Sequence, residues 1–135
     1  VMGNRAVIAF KSEEIKKELS PAIYLHWNGS KHSVEAFLKA AKEFGIRGED
    51  PTYCMARLAQ VIGNKIGGTL SMGIGCYGNF GHQGDNGVFW IKNWEIVEHD
   101  TDYEEDPYKD EWFQEVYQET LEANKEHFEQ RAKVQ

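Results

Sequence analysis

The chain has 135 residues, of which 41% are hydrophobic and 27% are charged, and it carries a formal net charge of −7. This length suits one domain that buries roughly two thirds of its unfolded surface in a single core. No apolar run approaches the ~20 residues of a membrane span and no secretory leader is visible, so we exclude a membrane protein and expect a cytoplasmic one.

Negative charge is concentrated at the carboxyl end. Residues 1–99 contain 11 Lys and Arg and 10 Asp and Glu, which gives a net charge of +1. Residues 100–135 contain 4 Lys and Arg and 12 Asp and Glu, which gives a net charge of −8. We predict an α+β core over 2–99, followed by an acidic connector and a helix over 100–135 that docks on the same domain.

Two strands are predicted near the amino terminus. The continuous apolar run Ala6–Phe10 is typical of a central strand that is buried on both faces. Residues 23–27 alternate, which would place Trp27 on the same face as two aliphatic side chains. The dipeptide Asn28-Gly29, which tolerates positive φ, ends this second strand.

Two amphipathic helices follow. Ser33 is a favourable N-cap residue, and the apolar spacing after it predicts a helix over 34–44. Asp50-Pro51 combines a cap with a proline in the first helical position, so a second helix should run from there to Gly67-Gly68.

The next strand carries glycines on one face. In the segment 70–77, Gly73 and Gly75 leave that face nearly bare, which indicates either an aromatic ring packed over them or a ligand against the backbone. The glycine-rich segment 78–87 should be an irregular loop. Residues 88–97 then predict two short strands or one bent strand.

Apolar residues of the C-terminal segment recur at helical spacing. Trp112 and Val116 lie along one line and Phe113 and Tyr117 along the next, so one stripe should dock while the glutamates face water. The fold class that results is α+β, with an antiparallel or mixed sheet of about four to five strands, two packed helices and a longer acidic C-terminal helix.

Residues that could carry catalysis or bind a metal lack a recognised spacing. The candidate metal ligands are His26, His32, His82, His99 and Asp85. They match no His-x-x-x-His helix and no paired-cysteine pattern. Neither Cys54 nor Cys76 has the basic neighbours that create a thiolate, and both are expected to be buried thiols. We assign no catalytic residue, no metal ligand and no cofactor.

Polar residues at strand ends and in loops form a second group of candidates. The group comprises Arg5, His26, Trp27, Asn28, His82, Asp85 and Asn86. Such residues can bind a small molecule or nucleotide, or support a hydrolase, since functional residues concentrate on loops held by a scaffold. They can equally brace turns, because Asn28 and Asn86 each precede a glycine. Both interpretations stay open at this point.

Several segments resemble a known family. Met-Gly-Asn-Arg-Ala-Val-Ile at 2–8, Tyr-Leu-His-Trp-Asn-Gly at 24–29 and Gly-Asp-Asn-Gly-Val at 84–88 are similar to those of a family of small uncharacterised proteins from bacteria, their phages and mobile elements. The resemblance covers residues 2–98. It implies a mobile-element setting, in which accessory proteins often disable a host defence system, as anti-CRISPR proteins do, and act in the host cytoplasm.

The acidic C-terminal segment is the leading candidate for partner binding. Its carboxylates are Asp102, Glu104, Glu105, Asp106, Asp110, Glu111 and Glu115, and Asp100 and Glu119 extend the same run at its two ends. They could imitate a row of phosphates and occupy the basic surface of a host nuclease or defence complex. We expect no direct binding of nucleic acid, because residues 1–99 contain no cluster of Lys or Arg. One alternative is a solvated face that aids solubility, with Asp110 and Glu111 favourably placed at a helix N-terminus. Another is a module that forms a homodimer through exposed aromatic residues.

Overall fold

A computed structural model describes residues 3–69, 71–102 and 108–134, with side chains described as far as Phe128. Within these residues the strands are β1 (Ala6–Phe10), β2 (Pro21–Leu25), β3 (Met72–Cys76), β4 (Val88–Lys92) and β5 (Glu95–Asp100). The helices are α1 (Lys31–Glu43), α2 (Pro51–Ile66), the single-turn α3 (Tyr77–Phe80) and α4 (Asp110–Val134), and one turn of 3₁₀ helix spans Lys17–Leu19.

The strands form one mixed sheet in the order β3-β2-β1-β4-β5. β1 runs parallel to β4, with Val7 beside Val88, and the other neighbouring strands are antiparallel. The predicted α+β class, with a sheet of four to five strands, two packed helices and a C-terminal helix, is confirmed.

β1 lies at the centre of the sheet and is buried on both faces, as its uninterrupted apolar sequence predicts. Ala6, Ile8 and Phe10 point to the inner face, where α1, α2 and α4 pack. Val7 and Ala9 point to the outer face, which is covered by α3 and by residues 11–20, here called the strap.

The cap predicted for α2 is confirmed. Asp50 Oδ1 accepts hydrogen bonds from the backbone N–H groups of Thr52 (3.1 Å) and Tyr53 (3.3 Å). These bonds, that of Tyr53 foremost, hold the pKa of the Asp50 carboxyl below its ordinary value.

The predicted start of α1 at Ser33 is wrong. α1 begins at Lys31 with Ser30 at the N-cap position, and Ser33 is buried within the first turn. The left-handed backbone of Asn28 (φ 62°) turns the chain earlier than the apolar spacing suggested.

The second strand ends earlier than predicted, at Leu25 rather than at Trp27. β2 pairs with β1 only as far as Leu25, which lies opposite Ala6, the first residue of β1. Trp27 lies beyond the end of β2, and its side chain is 37% exposed. In residues 88–97, the two-strand prediction is confirmed, because Asn93 (φ 51°) and Trp94 (φ 64°) form a tight turn between β4 and β5.

α4 contributes Phe113, Val116 and Tyr117 to the inner-face core. Towards its end, Phe128 stacks on Phe44 with 4.8 Å between ring centroids. Trp112, which was predicted to dock with this stripe, is instead 37% exposed.

Cys54 is buried and Cys76 is half-buried, and both are free, so the expectation of two buried thiols holds only for Cys54. Burial raises the pKa of the Cys54 thiol to about 11, which keeps it protonated at neutral pH. In the part of the chain described here, no helix has the length and apolar character to cross a membrane.

Candidate functional site

The first candidate site lies where β1 begins. Arg5 and Asp85 are 80 positions apart in sequence, yet Arg5 Nε donates to Asp85 Oδ2 at 3.0 Å and the Arg5 backbone N–H donates to the same oxygen at 2.9 Å. The guanidinium bond and the backbone bond together hold the pKa of the Asp85 carboxyl below its ordinary value. This carboxylate is therefore engaged in joining the 84–88 segment to β1.

Asparagine side chains extend this network. Asn86 Nδ2 donates to Asn4 Oδ1 (2.6 Å), Asn4 Nδ2 donates to Ser30 Oγ (2.8 Å), and the Asn86 backbone N–H donates to the Arg5 carbonyl (3.1 Å). We call Asn4, Arg5, Ser30, Asp85 and Asn86 the polar network. It joins the amino terminus, the start of α1 and the loop before β4.

The structure explains why a glycine occupies position 29, the last residue of the Tyr-Leu-His-Trp-Asn-Gly motif at 24–29. A Cβ at Gly29 would lie 2.6 Å from the Asn4 carbonyl oxygen and 2.7 Å from Ala6 Cβ. Any larger residue would separate the two segments that the polar network joins. The bracing interpretation of Asn28, Asp85 and Asn86 therefore accounts for their positions.

His26 lies beside the polar network. It forms a hydrogen bond of 2.9 Å with the Tyr24 hydroxyl through Nδ1 and meets the Trp27 ring edge-on at 5.3 Å between centroids. A Cβ at Gly3 would lie 2.8 Å from His26 Nε2, so the amino-terminal segment also packs against the ring.

His82 is in a different setting. Its Nδ1 lies 3.9 Å from Asp102 Oδ2, and the Asp102 side chain is 84% exposed. Nowhere in residues 3–69, 71–102 and 108–134 do three His, Cys, Asp or Glu side chains come together in a group that could hold a metal ion.

The glycine face of β3 is occupied by the protein itself. A Cβ at Gly75 would lie 3.2 Å from the Phe80 ring and one at Gly73 would lie 3.7 Å from it. Phe80 also stacks on Tyr24, with 5.9 Å between ring centroids. The aromatic-ring interpretation of this face is confirmed, and the ligand interpretation is wrong for it. The expectation of an irregular loop over 78–87 is wrong at its start, because α3 positions Phe80 over the glycines.

The second candidate site is the solvent face of α4. Five glutamates are exposed along this face, namely Glu111, Glu115, Glu119, Glu122 and Glu126. Consecutive members of the set are four, four, three and four positions apart in sequence. At 3.6 residues per turn they fall within an arc of about 80°. This set, here called the acidic stripe, lies opposite the face that carries Phe113 and Tyr117 into the core.

The structure brings together only part of the predicted partner-binding set. Glu111, Glu115 and Glu119 belong to the acidic stripe, whereas Asp110 lies about 100° around the helix from Glu111. Asp102 lies beside His82 rather than on α4. The remaining predicted positions, Glu104, Glu105 and Asp106, lie outside the described residues.

Glu122 and Glu126 were not predicted to belong to the site, although their spacing from Glu115 and Glu119 indicates a single helix face. In the described part of the chain, Glu111, Glu115, Glu119 and Glu122 form no ion pair. Their charge is thus presented to solvent.

Comparison with protein-family models, with curated proteins and with solved structures gives no match to this chain. Its function is therefore inferred from the chain's own geometry.

Proposed function

We propose that this protein is a non-enzymatic binding protein that recognises a basic surface of a partner through the acidic stripe. The observation that carries the proposal is the alignment of five exposed carboxylates on one helix face, opposite the face that docks α4 on the core. Opposite charge across an interface steers association and selects the partner.

The stripe is electrostatically unfavourable for the isolated protein. Glutamates three or four residues apart repel one another by about 0.2–0.5 kcal/mol per pair, and the four consecutive pairs together destabilise α4 by about 1–2 kcal/mol. Solubility alone could be met by mixed charges without this repulsion. A recognition surface needs the like charges on one face, and the docked apolar face keeps them there.

The partner class that we propose is a nucleic-acid-handling protein, such as a host nuclease or defence complex. Along α4 the carboxylates recur about every 5–6 Å, against about 3.4 Å per phosphate along one strand of B-DNA. The stripe would thus be a sparser line of negative charge than a DNA strand, one that can still occupy a basic groove. The family resemblance of residues 2–98 adds the mobile-element setting, in which an anti-CRISPR-like inhibitor is the corresponding role.

The test compares two variants of equal net charge. In the stripe variant the five stripe glutamates become Gln, and in the control variant five exposed glutamates elsewhere, Glu13, Glu14, Glu18, Glu43 and Glu49, become Gln. Immobilised wild type and both variants are incubated with bacterial lysate at low salt, and the retained proteins are identified by mass spectrometry.

We expect the wild type and the control variant to retain the same nucleic-acid-handling proteins, and the stripe variant to lose them. Duplex DNA added as a competitor should release them. Retention of the same proteins by all three forms would contradict the proposal.

A further inference from the structure

β3 forms one edge of the sheet, because β2 is its only neighbouring strand within the described residues. The edge of a sheet presents N–H and C=O groups with which another strand can pair, and natural proteins block such edges with charges, proline or a covering element. The sequence of β3, Met-Gly-Ile-Gly-Cys, contains neither a charge nor a proline. Ile74 at its centre is 60% exposed, so no element of the described structure covers this position.

The hydrogen bonds at the two ends of β3 show which of its backbone groups face the edge. The His26 N–H donates to the Ser71 carbonyl at 3.3 Å, and the Tyr77 N–H donates to the Ser20 carbonyl at 2.9 Å. Hydrogen-bonded residues alternate along an antiparallel strand, so the odd-numbered residues of β3 bond to β2. The even-numbered residues direct their N–H and C=O groups away from β2, and these are Met72, Ile74 and Cys76.

The opposite edge of the sheet, β5, is different. Glu95, Glu98 and Asp100 are exposed along it. Pairing of β5 with β5 of another copy would bring these carboxylates close to one another, and like charges across a strand pair are destabilising. Charge therefore blocks the β5 edge, whereas the β3 edge has no such protection.

We propose that β3 pairs with β3 of a second copy of this chain, antiparallel and around a two-fold axis that passes through Ile74. In this register Ile74 lies opposite Ile74 of the second copy, and Met72 lies opposite Cys76. These are the residues whose backbone groups face the edge, so each pair can exchange both of its N–H···O bonds. The two five-stranded sheets would then form one continuous sheet.

The sequence of β3 favours a second copy as the occupant, because a two-fold interface needs a surface that is complementary to itself. Gly73 would lie opposite Gly75 on the outer face, so no side chains collide at the close, non-hydrogen-bonded pairs. Ile74 lies opposite Ile23 and therefore on the inner face. There the two exposed Ile74 side chains would cover each other, and such β-branched pairs stabilise strand pairing.

Charge and size make this association weak. One strand of five residues buries less surface than a stable interface, and each copy carries a net charge of −7, which repels the other. We expect a dissociation constant on the order of 0.1 mM. Added salt should strengthen the dimer by screening the repulsion, which is the opposite of the salt dependence predicted for the acidic stripe.

The test measures the molar mass of the full chain by sedimentation equilibrium, and amide hydrogen exchange by NMR, from about 50 μM to about 1 mM protein at about 300 mM NaCl. We expect the mass to rise from that of one chain towards that of two. The Ile74 and Cys76 amides should exchange at least about twofold more slowly at the highest concentration, because only the monomer leaves them unbonded. The Gly73 amide, which already bonds to β2, should change less.

Two variants with the same change of charge localise the contact. Ile74→Lys places a charge opposite its own counterpart and should weaken the dimer at least tenfold. Val97→Lys is the matched control, because Val97 is an exposed aliphatic residue (50%) in the middle of β5. It should change the dissociation constant less than twofold. Both variants lower the net negative charge, so repulsion between whole molecules cannot explain a loss that is confined to Ile74→Lys. Circular dichroism checks that each variant is folded, and the exchange measurement on the wild type needs no variant.

Three results would overturn the proposal. One is the mass of a single chain at every concentration. Another is a rise in mass without slower exchange of the Ile74 amide, which would place the contact on another surface, such as the exposed aromatic residues. The third is equal weakening by Ile74→Lys and Val97→Lys in folded proteins.

Discussion

Asn64 of α2 and Asn124 of α4 are joined by a hydrogen bond of 2.8 Å, from Asn64 Nδ2 to Asn124 Oδ1. Asn124 is fully buried, and its Nδ2 donates to the carbonyls of Val61 and Thr120 at 2.9 Å each. Both N–H groups of the buried Asn124 amide therefore donate hydrogen bonds. Polar as well as apolar contacts hold α4 in register on the core.

Replacing Asn124 with Ala should lower the free energy of unfolding by about 2 kcal/mol, because the Asn64 amide loses its partner and the buried site loses side-chain volume. Urea denaturation followed by circular dichroism measures the change. Lys125→Ala, in the same turn but exposed, should change it by less than about 0.5 kcal/mol. Equal losses in the two variants would contradict the role given to Asn124.

Two glycines with similar backbone conformations should respond differently to Ala. A Cβ added at Gly45 (φ 76°) would have nothing within 4 Å, whereas one added at Gly87 (φ 70°) would fall against the Asp100 carbonyl oxygen. Gly45→Ala should cost about 1 kcal/mol from the left-handed backbone alone. Gly87→Ala should cost about 1–3 kcal/mol more, because β5 must shift. Thermal unfolding gives the melting temperature of each variant. Similar melting temperatures would contradict the close approach of Gly87 to the Asp100 carbonyl group.

The ion pair of Asp85 with Arg5 should appear in the pH dependence of stability. Because the folded-state pKa of Asp85 is lowered, its contribution is complete above the unfolded-state pKa of about 3.9 and is lost as the pH falls through the lower folded-state value. At pH 7 Asp85→Asn should be less stable than the wild type by about 1 kcal/mol, and the difference should shrink at more acidic pH.

Urea denaturation of the wild type and Asp85→Asn between about pH 2 and pH 7 tests this dependence. Glu13→Gln, which removes an exposed carboxylate without a hydrogen-bonded partner in the described structure, serves as the control and should stay close to the wild type throughout. A difference between the wild type and Asp85→Asn that is constant with pH would contradict the linkage.

Neutralising the acidic stripe should stabilise the isolated protein. The five Glu→Gln changes remove four like-charge pairs and should raise the free energy of unfolding by about 1–2 kcal/mol at low salt. The gain should shrink as added salt screens the charges. Chemical denaturation at two salt concentrations measures it, and a destabilised stripe variant would show that these glutamates support the fold instead.

Local sequence patterns were sufficient to predict most of the strands and helices. The apolar run of β1, the cap and proline before α2, and the periodicity of α4 each depend on residues within one element, so they are visible without the fold. The start of α1 and the end of β2 were misplaced because both are set by contacts between Ala6 and Leu25 and by the turn at Asn28.

The candidate sites were only partly predictable for the same reason. Glu111 and Glu115 follow from helical spacing, but the bonds from Arg5 to Asp85 and from Asn64 to Asn124 link positions 80 and 60 residues apart in sequence. The burial of Trp90 depends on Lys17 and Tyr77, which pack over its ring from distant positions in the sequence. The sequence could thus indicate a charged surface but not the contacts between segments that are distant in the chain.

The most direct test of the central claim is the dissociation constant between this protein and a retained partner, measured for the wild type, the stripe variant and the control variant at about 50 mM and about 300 mM NaCl. Recognition through the acidic stripe predicts that binding by the wild type and the control variant weakens at least tenfold at the higher salt, and that the stripe variant binds at least tenfold more weakly than both at low salt. Equal dissociation constants for the stripe variant and the wild type at low salt would contradict the claim.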